Sequence, residues 1–254
     1  MFPIRDENPT DHRPVVTVTM IVLNLAVWGG LQGFGLTEAF PRSFCTHALI
    51  PGELLGLAEP GASFQVGPGL RCRLGTGDGL GAQTLLWSMF MHGSWLHIIG
   101  NLWFLWIFGD NVEDVMGPVR FASFYLLCGV AAAAAQIASA PASLVPMVGA
   151  SGAIGGVMGA YARLYPRARV HMLVLFGFIV TTVSVPAIFM LGYWFLLQVL
   201  AGLPSLGDST GGVAFWAHAG GFLAGLGLSF VFVRPDLLEA RRSRPLRTAE
   251  RRWL

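Results

Sequence analysis

The stretch GASGAIGGVMGAY, residues 149–161, decides how this chain is read. Gly155 and Gly159 follow Ser151 at i+4 and i+8, so they share one helix face with it. Stripes of small residues at that spacing let two membrane helices bring their backbones close together. Such a helix needs a partner with a matching face. FWAHAGGFLAGLG, residues 215–227, offers one, because Gly221 and Gly225 follow His218 at i+3 and i+7. Each stripe is headed by a polar residue, a serine on one helix and a histidine on the other.

The rest of the chain fits a lipid setting. Its 254 residues are 54% hydrophobic and 12% charged, with mean hydropathy +0.62. A soluble domain spends about a quarter of its residues on charge, so the composition indicates an integral membrane protein with one membrane domain. Six apolar stretches lie near residues 15–36, 88–109, 119–140, 149–163, 171–203 and 213–233. They predict an all-α bundle of six transmembrane helices. The stretch 171–203 is too long for one simple span. Its start is expected at the interface, with Val183–Leu203 crossing the membrane, bent at Pro186. Residues 1–14 form a short tail without a signal-peptide pattern. Residues 15–235 form the membrane domain, 37–84 a long Gly- and Pro-rich loop, and 236–254 an Arg-rich tail.

Every basic residue apart from histidine is Arg. With the N-terminus inside, thirteen of the sixteen Arg fall on the inner side, seven of them from Arg234 onward. Arg42, Arg71 and Arg73 fall outside. The positive-inside rule therefore predicts two cytoplasmic termini and an external 37–84 loop. The C-terminal Arg run follows an apolar helix, so it reads as a membrane-side anchor rather than a nucleic-acid tail. Cys45 and Cys72 share the outer loop, where a disulfide and two free thiols are both open readings. Cys128 reads as a packing residue.

Polar groups inside a bilayer are functional candidates by default. Ser151 alone fits an ordinary small interface residue as well as a nucleophile. His218 alone fits a proton relay, a ligand or an interhelical hydrogen bond. In MHGSWLHIIGN, residues 91–101, His97 and Asn101 are four apart and share a face, with His92 upstream. No carboxylate or thiol completes a metal set there, and HExxH is absent. Topology joins these residues. The second, fourth and sixth spans run in the same direction. Counted back from the inner charged edge at the helical rise, Ser151, His97 and His218 lie roughly 18, 20 and 24 Å deep. All three fall in the outer half of a hydrocarbon core about 30 Å thick. The segment SAPASLVPMVGA before Ser151 must then be irregular chain at depth, which is tolerated only within protein or beside a water-filled cavity.

With these residues in place, the chain resembles the rhomboid family of intramembrane serine proteases over residues 15–235. The resemblance rests on HGSWLHIIGN, GASG and AHAGG, supported by GDNVEDVMGPVRF after the second span. It implies a Ser–His dyad, with Ser151 as nucleophile and His218 as general base. It implies oxyanion donors from His97, Asn101 and the Ser151 backbone N–H. It gives His92 a structural role near the outer loop. Gly149 and Gly152 would allow a tight turn and close approach of the substrate backbone. No cofactor or metal is implied. The implied partners are single-span membrane-protein substrates and lipid, not nucleic acid. The expected location is a bacterial plasma membrane, with substrates entering past the fifth span. Two departures stand out. Gly155 occupies a position where many members carry an aromatic beneath the His ring, leaving the orientation of His218 open. The Trp–Arg pair of some members' outer loop is also absent. A catalytically inactive adaptor of the same fold and a proton-coupled transporter are the competing classes. Retention of Ser151, His218, His97 and Asn101 together argues against the first. The lack of an intramembrane carboxylate and of an inverted repeat argues against the second.

Overall fold

A computed structural model describes residues 2–59, 61–66, 70–74, 80–176, 179–206 and 213–243. It is mostly helical. The helices are α1 (Val15–Gly30), α2 (Ala39–His47), α3 (Pro51–Leu54), α4 (Thr84–Trp87), α5 (Trp95–Met116), α6 (Pro118–Ser139), α7 (Ser151–Leu164), α8 (Ala187–Gly202), α9 (Phe215–Phe232) and α10 (Pro235–Arg242). Among the described residues, three helical segments are long and apolar enough to cross a membrane: Pro118–Ser139, Ala187–Ser205 and Phe215–Phe232. Val15–Gly30 is a shorter apolar helix.

The all-α expectation needs correcting, because two sheets are present. The first joins β1 (Phe2–Asp6), β4 (Arg169–Phe176) and β5 (Ile179–Pro186) in the antiparallel order β1-β4-β5. The expected span from Val183 bent at Pro186 does not form. Residues 179–185 are rich in Val, Ile and Thr, which favour an extended chain. Pro186 closes β5, and α8 begins at Ala187, so Pro186 is no helix kink. The expected N-terminal tail is ordered too, through β1 and the Glu7 N–H bond to the Arg169 carbonyl. The second sheet is a hairpin of β2 (Ser63–Val66) and β3 (Leu70–Arg73) within the long loop. Cys72 on β3 is disulfide-bonded to Cys45 on α2, which resolves the open reading of those thiols. Residues 60, 67–69 and 75–79 of that loop and 244–254 of the Arg-rich tail lie outside the described residues.

α7 is the central helix, buried along nearly its whole length between α5, α6, α8 and α9. Glycine makes this possible, in a register one position away from the simplest expectation. A Cβ placed on Gly221 would stand 2.0 Å from the Gly152 carbonyl oxygen, and one on Gly225 1.9 Å from that of Gly156. Gly155 and Gly159 instead press on the His218 and Phe222 carbonyls of α9. Gly152 also abuts Ala132 of α6, and Gly156 abuts the buried, free Cys128. Gly152 therefore serves helix packing.

At the end of the bundle away from Ser151, GDNVEDVMGP becomes a buried polar knot. Glu113 accepts from the N–H groups of Val16 and Thr17 and from Thr17 Oγ1, each at 2.8 Å, satisfying orphan donors at the start of α1. Asp114 accepts from the Asp11 and His12 N–H groups and from Arg241 of α10. Gly117, at φ +77°, turns the chain from α5 into α6, with Pro118 at the first helical position.

Candidate active site

The segment before Ser151 is irregular, as expected; it is exposed at Pro141 and Ala142 and half-buried from Leu144 to Gly149. Leu49 and Met147 exchange both backbone hydrogen bonds, and the Gly149 N–H bonds the Ser88 carbonyl at 2.8 Å. Gly149 lies at φ +131°, a conformation that L side chains rarely adopt. A Cβ there would lie 2.8 Å from His97 Nε2 and 3.4 Å from Ser151 Oγ. The missing side chain is thus what allows α5 and the start of α7 to close around one point.

Ser151 is the first residue of α7, so its N–H has no intrahelical partner, and the helix dipole is positive there. Its Oγ lies 2.8 Å from His218 Nε2 of α9. The other ring nitrogen, Nδ1, lies 2.8 Å from Gln198 Oε1 of α8. The Trp194 ring, one turn earlier on α8, flanks the imidazole at a centroid distance of 5.9 Å and an angle of 36°.

On α5, Ser94 caps the helix by accepting the His97 N–H. His97 Nδ1 accepts from the Gly93 N–H at 3.3 Å. An accepting Nδ1 in a neutral ring leaves the proton on Nε2, the ring nitrogen that faces Gly149. Asn101, one turn on, is buried, and its Nδ2 has no partner among the described residues. It carries unspent N–H donors on the cavity wall. His92 is fully buried, with its backbone clamped by both ends of the Gln32 amide at 2.8 Å. Its ring packs edge-on against His97 at 5.1 Å. Gln32, Gln198 and Trp194 were not singled out from sequence. Gln198 carried a signal all the same, as a polar side chain inside an apolar run.

Ser151, His218, His97 and Asn101 line one cavity of about 510 Å³, together with Gln136, Trp194 and apolar side chains such as Leu96, Phe104 and Met158. No cluster of His, Cys, Asp and Glu suited to a metal occurs among the described residues.

The Rhomboid domain family model matches residues 81–235. The chain belongs to the rhomboid family. Its relatives include Rhomboid protein 1, mitochondrial, of Saccharomyces cerevisiae, 28% identical over 174 residues, covering 66% of this chain and 46% of that one. Rhomboid-like protease 5 of Toxoplasma gondii is 29% identical over 156 residues, 59% of this chain and 16% of that one. The human Presenilin-associated rhomboid-like protein, mitochondrial, is 31% identical over 93 residues, 36% of this chain and 24% of that one. This rhomboid spans less than half the length of these relatives. Family and apolar helices together make it a multi-pass membrane protein.

Proposed function

We propose that this rhomboid is an intramembrane serine endopeptidase that cuts single-span membrane proteins near the outer end of their transmembrane helix. The observation that carries this reading is the 2.8 Å contact between Ser151 Oγ and His218 Nε2 on the wall of an open cavity. A serine hydroxyl is a weak nucleophile until an adjacent base takes its proton. His218 Nε2 is that base. As Oγ bonds the substrate carbonyl carbon, its proton moves to Nε2, and the carbonyl oxygen becomes an oxyanion. His97 Nε2–H, the Asn101 amide and the Ser151 N–H are the donors that stabilise it. When the tetrahedral intermediate collapses, the C–N bond breaks and the leaving amine takes the proton from His218. Water then attacks the acyl-enzyme with His218 again as base, releasing the second product and restoring the Ser151 hydroxyl.

The proposed topology has six crossings, by α1, α5, α6, α7, α8 and α9, with both termini cytoplasmic. The Arg distribution supports this orientation, and so does the Cys45–Cys72 disulfide, which suits an oxidising outer face. A substrate helix hides its peptide bonds in its own hydrogen bonds, so segments weakened by Gly or Pro are the favoured substrates. The test is cleavage of a model single-span substrate by purified protein, with Ser151→Ala and His218→Ala alongside. A catalytically inactive adaptor would bind the same substrate without cutting it, and Ser151 would not react with a serine-directed phosphonate.

A further inference from the structure

We propose that Gln198 is the positioning residue for His218, completing a Ser151–His218–Gln198 relay that sets which imidazole nitrogen is free to accept the serine proton. The inference deepens the protease reading and rests on it.

The orientation of the Gln198 amide follows from its two partners. Its Nε2 donates to the Trp194 carbonyl one turn earlier, at 3.4 Å. That leaves Oε1 facing His218 Nδ1 at 2.8 Å. An amide oxygen only accepts, so Nδ1 must carry the proton. In the neutral ring Nε2 then holds the lone pair, and Nε2 is the atom 2.8 Å from Ser151 Oγ. The opposite tautomer would point an N–H at the serine and abolish its activation. Gln198 thus does by orientation what an acid does in a triad, without adding a charge to an apolar site.

α8 also supplies the ring support that residue 155 lacks. A Cβ on Gly155 would meet the His218 carbonyl at 3.0 Å and Trp194 Cη2 at 3.7 Å, so a side chain there would crowd α9 and the Trp194 ring. Trp194 flanks the imidazole from the opposite helix, and Gln198 fixes the ring's rotation on the same α8 face. The site is therefore assembled only while α8 is docked.

The test uses the full chain in liposomes with a model single-span substrate, comparing wild type with Gln198→Leu, Gln198→Glu, Ser151→Ala and His218→Ala. Gln198→Leu lowers kcat by roughly 100-fold with KM nearly unchanged. Gln198→Glu keeps an acceptor of the same reach and recovers activity to within about ten-fold of wild type. Nitrogen NMR of ¹⁵N-histidine, assigned against His218→Ala, reads His218 as protonated on Nδ1 in wild type and as a mixture of tautomers in Gln198→Leu. Wild-type kcat in Gln198→Leu overturns the inference, as does a wild-type His218 protonated on Nε2. If Gln198→Leu fails to fold, the wild-type tautomer and the Gln198→Glu rate still decide. If Ser151→Ala and His218→Ala cleave normally, the protease reading itself falls, whatever Gln198 does.

Discussion

Replacing Gly221 by Ala tests how tightly chemistry is tied to helix packing. A Cβ at Gly221 would sit 2.0 Å from the Gly152 carbonyl oxygen, where an ordinary contact begins at 3.4 Å. Both groups are main chain or directly attached to it, so no side chain can swing aside. α7 and α9 must separate by about 1.4 Å at this level. Gly152 directly follows Ser151, and Gly221 lies three residues after His218, about 4.5 Å along the helix. The separation therefore reaches the dyad nearly undiminished. It stretches the 2.8 Å Ser151–His218 contact to roughly 4 Å, beyond hydrogen-bond reach. A misplacement of this size costs about 100-fold in rate, and the overpacking costs about 1–3 kcal/mol of stability. The assay is initial-rate cleavage of a fluorogenic single-span substrate in proteoliposomes, paired with the rate of phosphonate labelling at Ser151. Gly227→Ala is the control on the same helix. Nothing lies within 4 Å of a Cβ there, so both rates should match wild type. Cleavage by Gly221→Ala within about three-fold of wild type would refute the reasoning.

Two further outcomes concern stability. Burial raises the Asp6 carboxyl from 3.8 to about 6, against the lowering effects of the Tyr161 hydrogen bond and the Arg241 charge. The folded chain then holds this proton more tightly than the unfolded chain, so the Asp6 contribution to stability falls as pH rises from about 4 to about 6, by about 3 kcal/mol at most. Asp6→Asn should reduce the slope in that range in a thermal melt in detergent, and an unchanged slope would count against it. The Cys45–Cys72 disulfide closes a loop with a sequence separation of 27. Removing it with a Cys45→Ala/Cys72→Ala pair should cost about 3.5 kcal/mol by the loop-entropy relation. The pair should still cleave, because neither cysteine lines the cavity; a silent but folded pair would give the loop a direct part in the chemistry.

The meeting of Ser151, His218 and His97 was legible because helical rise converts residue counts into depth, and depth places three polar groups in one layer; Asn101 joins them because it follows His97 by four residues on the same helix face. The facing glycines were legible only to within a neighbour. Gly152 and Gly156 meet Gly221 and Gly225, and periodicity alone does not distinguish a face from the one beside it. The β4–β5 hairpin was misread because hydropathy scores an apolar strand and an apolar helix alike. The β-branched run 179–185 ahead of Pro186 was the signal that separated them. Gln198 was visible as a polar side chain inside an apolar run, but its role was not. Its role depends on which residue of α9 it faces, and that is set by packing rather than by sequence spacing.

The most direct measurement is cleavage of a single-span substrate in liposomes by wild type, Ser151→Ala and His218→Ala. The account predicts that wild type cuts while both variants, folded and inserted, are silent. Cutting by both variants at the wild-type rate would contradict it.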